Sequence, residues 1–126
     1  MQSTTICAVA TAPGGALGVI RVAGVDAIAV TDRVFRSRGG KPLADRRSHA
    51  LAFGHIVDPA DETLIDEVLV SVFRAPHSYT GEDATEISCH GSAFVLQRVV
   101  QLLMAAGATP AEPGEFTRRA FLNGKM

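Results

Sequence analysis

The sequence predicts an α+β domain with one mixed, mostly antiparallel sheet packed by helices. Two observations carry this. Short apolar runs rich in β-branched residues recur at 4–10, 17–23, 50–57, 64–74 and 84–90, and such runs bounded by turn residues read as strands. Between them, at 25–36 and 92–106, the apolar spacing changes to the helical period. Strands and helices in the order ββαβββα suit a single sheet covered by helices.

The elements follow in turn. TTICAVA (4–10) is a strand, and TAPGGA (11–16) is a loop because proline and two glycines break regular structure. LGVIRVA (17–23) is a second strand with its charge at Arg21. Over 25–36, Ala27, Val30 and Val34 form one stripe with Ile28 and Phe35 alongside, which predicts an amphipathic helix ending before Gly39-Gly40. Residues 37–48 form a polar loop. ALAFGHIV (50–57) and LIDEVLVSVFR (64–74), joined through DPADET, make an antiparallel hairpin. APHSYTGED (75–83) is a loop and ATEISCH (84–90) a strand. A largely buried helix spans 92–106, with Ser92 as N-cap and Gly107 as its stop. Residues 108–114 are extended or turning, and 115–125 begin a further helix.

The length of 126 residues fits one domain, residues 1–126, with enough buried surface for a core without disulfide staples. Hydrophobic residues at 47% and charged residues at 20% exclude a disordered or collagen-like chain. A net charge of −1 lacks the basic excess of a dedicated nucleic-acid binder. No run approaches the roughly 18 apolar residues of a membrane helix, and the first residues lack the basic start of a signal peptide. The chain is expected to be soluble and cytosolic, with no membrane partner, and to be a piece of a longer protein.

The residues that carry chemistry are few. PGGALG (13–18) is followed by a strand and by no Lys-Ser or Lys-Thr pair, so it is not a nucleotide-binding P-loop; a close backbone approach is its plainer use. His49, His55, His77 and His90 show no metal-ligand spacing, and adjacent strand residues Cys89 and His90 point to opposite faces, so no metal is expected. Cys7 and Cys89 read as small buried hydrophobes; a disulfide requires their strands to be neighbours. A hydrolase using Cys89 with a distant histidine is a remote alternative. Six basic residues between Arg33 and Arg47 form either a solvated loop or a patch that touches RNA or another domain. Two charges interrupt apolar strands: Arg21 in VIRV and Glu86 in ATEIS. Each lies on a solvent face or in a pocket; in a pocket, the pair would suit a ligand with a flat amide-like head and an anionic tail.

Three stretches, TTICAVATAPGGALGVIRVAG, PHSYTGEDATEISCHGS and PGEFTRRAFLNGKM, together resemble the N-terminal domain of the MnmE (TrmE) family of tRNA-modification GTPases. The resemblance spans almost the whole chain; only 36–66 is unremarkable. It implies a fold like the folate-binding domain of glycine-cleavage T-proteins, binding of 5-formyltetrahydrofolate or a related tetrahydrofolate, and homodimerisation. It implies a full-length GTP hydrolase that, with an FAD-containing MnmG-type partner, modifies the wobble uridine of tRNA at C5. GTP, magnesium and potassium would belong to a G domain that this chain lacks, so the chain is not expected to be catalytic alone. The family's folate contacts fall on Arg21 of G-V-I-R, Glu86 of G-E-D-A-T-E and Lys125 of F-L-N-G-K. Glu86 would accept the pterin N–H donors, and Arg21 and Lys125 would hold carboxylates or carbonyl oxygens. The alternative is a purely structural dimerisation module, consistent with the mean hydropathy of +0.20.

Overall fold

A computed structural model describes residues 4–12 and 14–125. Residues 1–3, Pro13 of the glycine-rich loop and Met126 lie outside the described residues.

The apolar runs form seven strands: β1 (Ile6–Val9), β2 (Leu17–Ala23), β3 (Phe35–Ser37), β4 (Ala50–Asp58), β5 (Thr63–Phe73), β6 (Ala84–His90) and β7 (Thr109–Pro110). Three helices accompany them: α1 (Ala27–Val34), α2 (Ala93–Ala105) and α3 (Glu115–Leu122). The strands make one sheet in the order β3-β4-β5-β6-β2-β1-β7. Every pairing is antiparallel except β1 with β7. The predicted α+β class and the β4–β5 hairpin therefore hold.

Strand alternation gives the sheet two different faces. Cys7, Ile20, Val22, Val70, Val72, Ile87 and Cys89 point to one side, where α1 and α2 close the main core. Helix α1 buries Ala27, Ile28, Val30, Thr31 and Val34, and the Thr31 hydroxyl meets Thr85 Oγ1 of β6 at 2.8 Å. Helix α2 starts as predicted: Ser92 Oγ accepts the Val95 N–H at 3.1 Å. Only its inner stripe is buried, through Leu96, Val99, Leu102 and Leu103, while Phe94 and Met104 stay exposed. On the other face, a small cluster of Ile6, Ala23 and Ala84 is covered by Phe116 of α3.

The fold departs from expectation around residues 35–45. The helix expected over 25–36 stops at Val34, and Phe35–Ser37 pairs with β4 instead. Tertiary pairing outweighs helix periodicity here: Phe35 pairs with Ile56 of β4 and is buried in the main core. The Asp32 carboxylate accepts the N–H groups of Leu43 and Ala44, which starts a short 3-10 turn inside the predicted loop. Cys7 and Cys89 are both free, since β2 lies between their strands.

The glycine-rich loop makes the close approach its composition suggests. Gly91 donates to the Ala16 carbonyl, and a Cβ at Gly91 would collide with the Gly15 carbonyl oxygen. Gly91 rather than Gly15 is therefore the position that must lack a side chain.

Candidate ligand site

Arg21 and Glu86 stand directly opposite each other in the β2–β6 register. Cross-strand partners share a face, so both project from the side of the sheet away from α1 and α2. There Arg21 Nε donates to Glu86 Oε2 at 3.0 Å, although the residues are 65 positions apart in the chain. Their side chains are about a quarter and a third exposed, at 24% and 31%, so the pair is reachable by a ligand.

The pair forms the floor of a cleft of about 550 Å³. Phe73 of β5 and Ala84 of β6 extend the floor, and His49 stands at one edge. His49 has a positive φ of 68° and sets its ring edge-on to Phe73, with centroids 5.4 Å apart. The opposite wall is the loop between β5 and β6, through His77, Ser78, Tyr79 and Thr80. The Asp83 carboxylate closes the base of that loop by accepting the Ala75 N–H. The Arg21 guanidinium carbon lies 4.9 Å from the Tyr79 ring centroid and 5.5 Å from that of Phe116. Its charge is thus held between two aromatic faces and one carboxylate.

Lys125 is not among the residues lining the cleft. Its ammonium donates to the Pro76 carbonyl at 3.1 Å, and its stem packs beside Gly81. The structure therefore brings Arg21 and Glu86 together in the cleft and places Lys125 on the loop that walls it.

The most buried ion of the region was not among the candidates drawn from the sequence. Arg119 of α3 is fully buried. Its guanidinium donates to the Thr4 carbonyl and hydroxyl, to Glu82 Oε2 at 3.1 Å and to Glu115 Oε2 at 3.0 Å. Burial pushes the Glu115 carboxyl up, but the Glu112 N–H and Arg119 outweigh it and leave Glu115 below the usual glutamate range. The Glu-x-x-x-Arg spacing on a predicted helix was the available signal. Tyr79 and His77 lie within PHSYTGEDATEISCHGS, whereas nothing local marks His49.

The remaining candidates take structural places. Burial raises both thiols to about 11, Cys89 with added repulsion from Asp66, which disfavours the nucleophilic thiolate at neutral pH. Much of the basic run is engaged: Arg36 forks onto Glu62 at 3.0 and 2.9 Å, Arg33 donates to the Ala106 carbonyl, and Arg46 to Ser37 Oγ. Among the described residues no three His, Cys, Asp or Glu side chains gather as a metal site, and no helix is long and apolar enough to cross a membrane.

The molecule is thus an α+β domain whose sheet carries α1 and α2 on one face and, on the other, a cleft over a paired Arg and Glu. The family model described as "GTP-binding protein TrmE N-terminus" matches residues 5–125. The chain is 58% identical over 127 positions to the tRNA modification GTPase MnmE of Bacteroides thetaiotaomicron, covering all of this chain and 27% of that protein. It is 54% identical to the protein of that name from Moorella thermoacetica and 51% to that of Enterococcus faecalis, covering all of this chain and 28% and 27% of theirs. The chain belongs to the TrmE N-terminal family, and it spans about a quarter of the length of these relatives.

Proposed function

We propose that residues 1–126 form one domain that binds a tetrahydrofolate one-carbon derivative, such as 5-formyltetrahydrofolate, and joins a second copy within a tRNA-modifying GTPase. The observation that carries this reading is the Arg21–Glu86 pair on the floor of an aromatic-walled cleft. A reduced pterin presents amino and ring N–H donors that a carboxylate accepts in parallel, and a folate tail ends in carboxylates that a guanidinium grips in a fork. A volume of about 550 Å³ lies within the ordinary range for small-molecule sites. In this reading Glu86 takes the head, and Arg21 turns from Glu86 to a carboxylate or carbonyl oxygen of the ligand. Lys125 supplies a second cation by leaving the Pro76 carbonyl, and the two basic residues can exchange roles. The bound group would supply the one-carbon unit; this chain's residues hold and orient it.

Dimerisation draws support from the rest of the same sheet face. Leu17, Leu51, Phe53 and Leu69 project from it and stay exposed, which is costly for a lone domain. GTP hydrolysis, an FAD-dependent partner, wobble-uridine chemistry on tRNA and a cytoplasmic location belong to the proposed longer protein.

Calorimetric titration with 5-formyltetrahydrofolate tests the reading. Glu86→Ala should weaken binding roughly 10–150-fold, the loss of one charged hydrogen-bonding partner. No heat at high micromolar ligand refutes it. The exposed sheet face also favours a second reading, a dimerisation module without a ligand; sedimentation would then show a dimer while the folate titration stayed flat.

A further inference from the structure

Residues 76–82, the part of the loop that walls the cleft, are hydrogen-bonded to the rest of the described domain through one element, while the ends of the loop are also held by Ser48 and Gly24. From α3 and the turn after it, Thr117 Oγ1 meets Tyr79 Oη at 2.9 Å, and Arg119 reaches Glu82 at 3.1 Å. Asn123 Nδ2 donates to the Thr80 carbonyl at 2.8 Å, and Lys125 Nζ to the Pro76 carbonyl at 3.1 Å. Phe116 adds its ring to Arg21, on the cleft floor. These five residues lie within ten positions of one another, and their partners include both the wall and the floor.

The contacts differ in how much else they hold. Arg119 also binds Thr4 and Glu115, so it is part of the core of this end of the domain. Asn123 is exposed, and its side chain is bonded to the loop. Loop geometry can therefore be loosened at Asn123 with little loss of packing.

We propose that α3 and its following turn are a strap that sets the ligand site, with Asn123 and Arg119 as positioning residues that hold Tyr79 against Arg21. This deepens the ligand-binding reading and rests on it for the affinity, but not for the position of Tyr79. Neither residue lines the cleft; each acts through the loop.

The chain contains a single tyrosine and no tryptophan, so its intrinsic fluorescence reports Tyr79 alone. The test compares acrylamide quenching of Tyr79 in the ligand-free chain, thermal midpoint and 5-formyltetrahydrofolate affinity for wild type, Asn123→Asp, Arg119→Lys and the exposed control Phe121→Ala. Asn123→Asp keeps the shape, removes the donor and sets a negative charge against the Thr80 carbonyl. It should raise the quenching constant about twofold and weaken binding roughly 3–10-fold, the range for one lost hydrogen bond, with a small change in midpoint. Asn123→His, which restores an N–H donor, should recover part of both effects, and Phe121→Ala should alter neither. Unchanged quenching in Asn123→Asp overturns the proposal even if Arg119→Lys fails to fold. Raised quenching in a chain that binds no folate supports the strap and refutes the folate reading alone.

Discussion

At the scale of single residues, the same chemical change has different costs depending on what surrounds it. A Cβ at Gly18 would press on the Leu96 side chain at 2.6 Å, and a leucine can change rotamer. A Cβ at Gly91 would meet the backbone carbonyl of Gly15, next to the Ala16 carbonyl that the Gly91 N–H holds, and backbone yields less readily than the tip of a side chain. Gly91→Ala should therefore destabilise the chain by about 2–3 kcal/mol, and Gly18→Ala by clearly less, measured as urea midpoints at constant slope. The cysteines give a second residue-scale prediction. With both thiols raised to about 11 and buried, neither should react with a thiol reagent at pH 7 in the folded chain, and both should react in denaturant. Labelling of native Cys89 would restore the hydrolase alternative.

At the scale of elements, the ends of strands show how local pattern and tertiary contact divide the work. Strand β6 runs past its last partner on β5, Leu69 opposite Ser88. Asp66 completes the edge: its carboxylate accepts the His90 N–H and meets His90 Nδ1, each at 2.8 Å. Asp66→Ala would leave a strand-end donor without its partner, and we expect a loss of about 1–3 kcal/mol by chemical denaturation. His90→Ala should cost less, because the backbone bond survives. Most elements were legible in the sequence because their periodicity is local: the β4–β5 hairpin, α2 with its Ser92 cap, and α3 were all anticipated. Strand β3 was not, because Phe35 falls beside the helical stripe of α1. The extended form of Phe35 and Arg36 is favoured by pairing with Ile56 and His55, about twenty residues away in the chain.

At the scale of the whole molecule, acid should loosen the end that carries the cleft. Glu115 has a folded pKa below its unfolded one, so its contribution to stability is present above about pH 4.3 and is lost as pH falls through the folded value. Wild type should exceed Glu115→Gln in stability at pH 6, and the gap should close on acidification; a gap that widens toward acid would reverse the assignment. Glu115 holds Arg119, and Arg119 holds both Thr4 and the loop through Glu82. Tyr79 quenching should therefore rise in the same acid range, before global unfolding.

The amino-acid order by itself determined the α+β class, most strand and helix positions, the oddity of Arg21 and Glu86 within apolar strands, and the family likeness. All of these rest on spacings of a few residues or on contiguous motifs. Only the tertiary structure decided that β2 lies between β1 and β6, which sets Arg21 against Glu86 and keeps Cys7 from Cys89. It also decided that Arg119 is buried and that Lys125 fastens a loop. Strand order and burial depend on pairings between distant segments, whose free energy lies in closing long loops around a shared core, and no local period records which segments will meet.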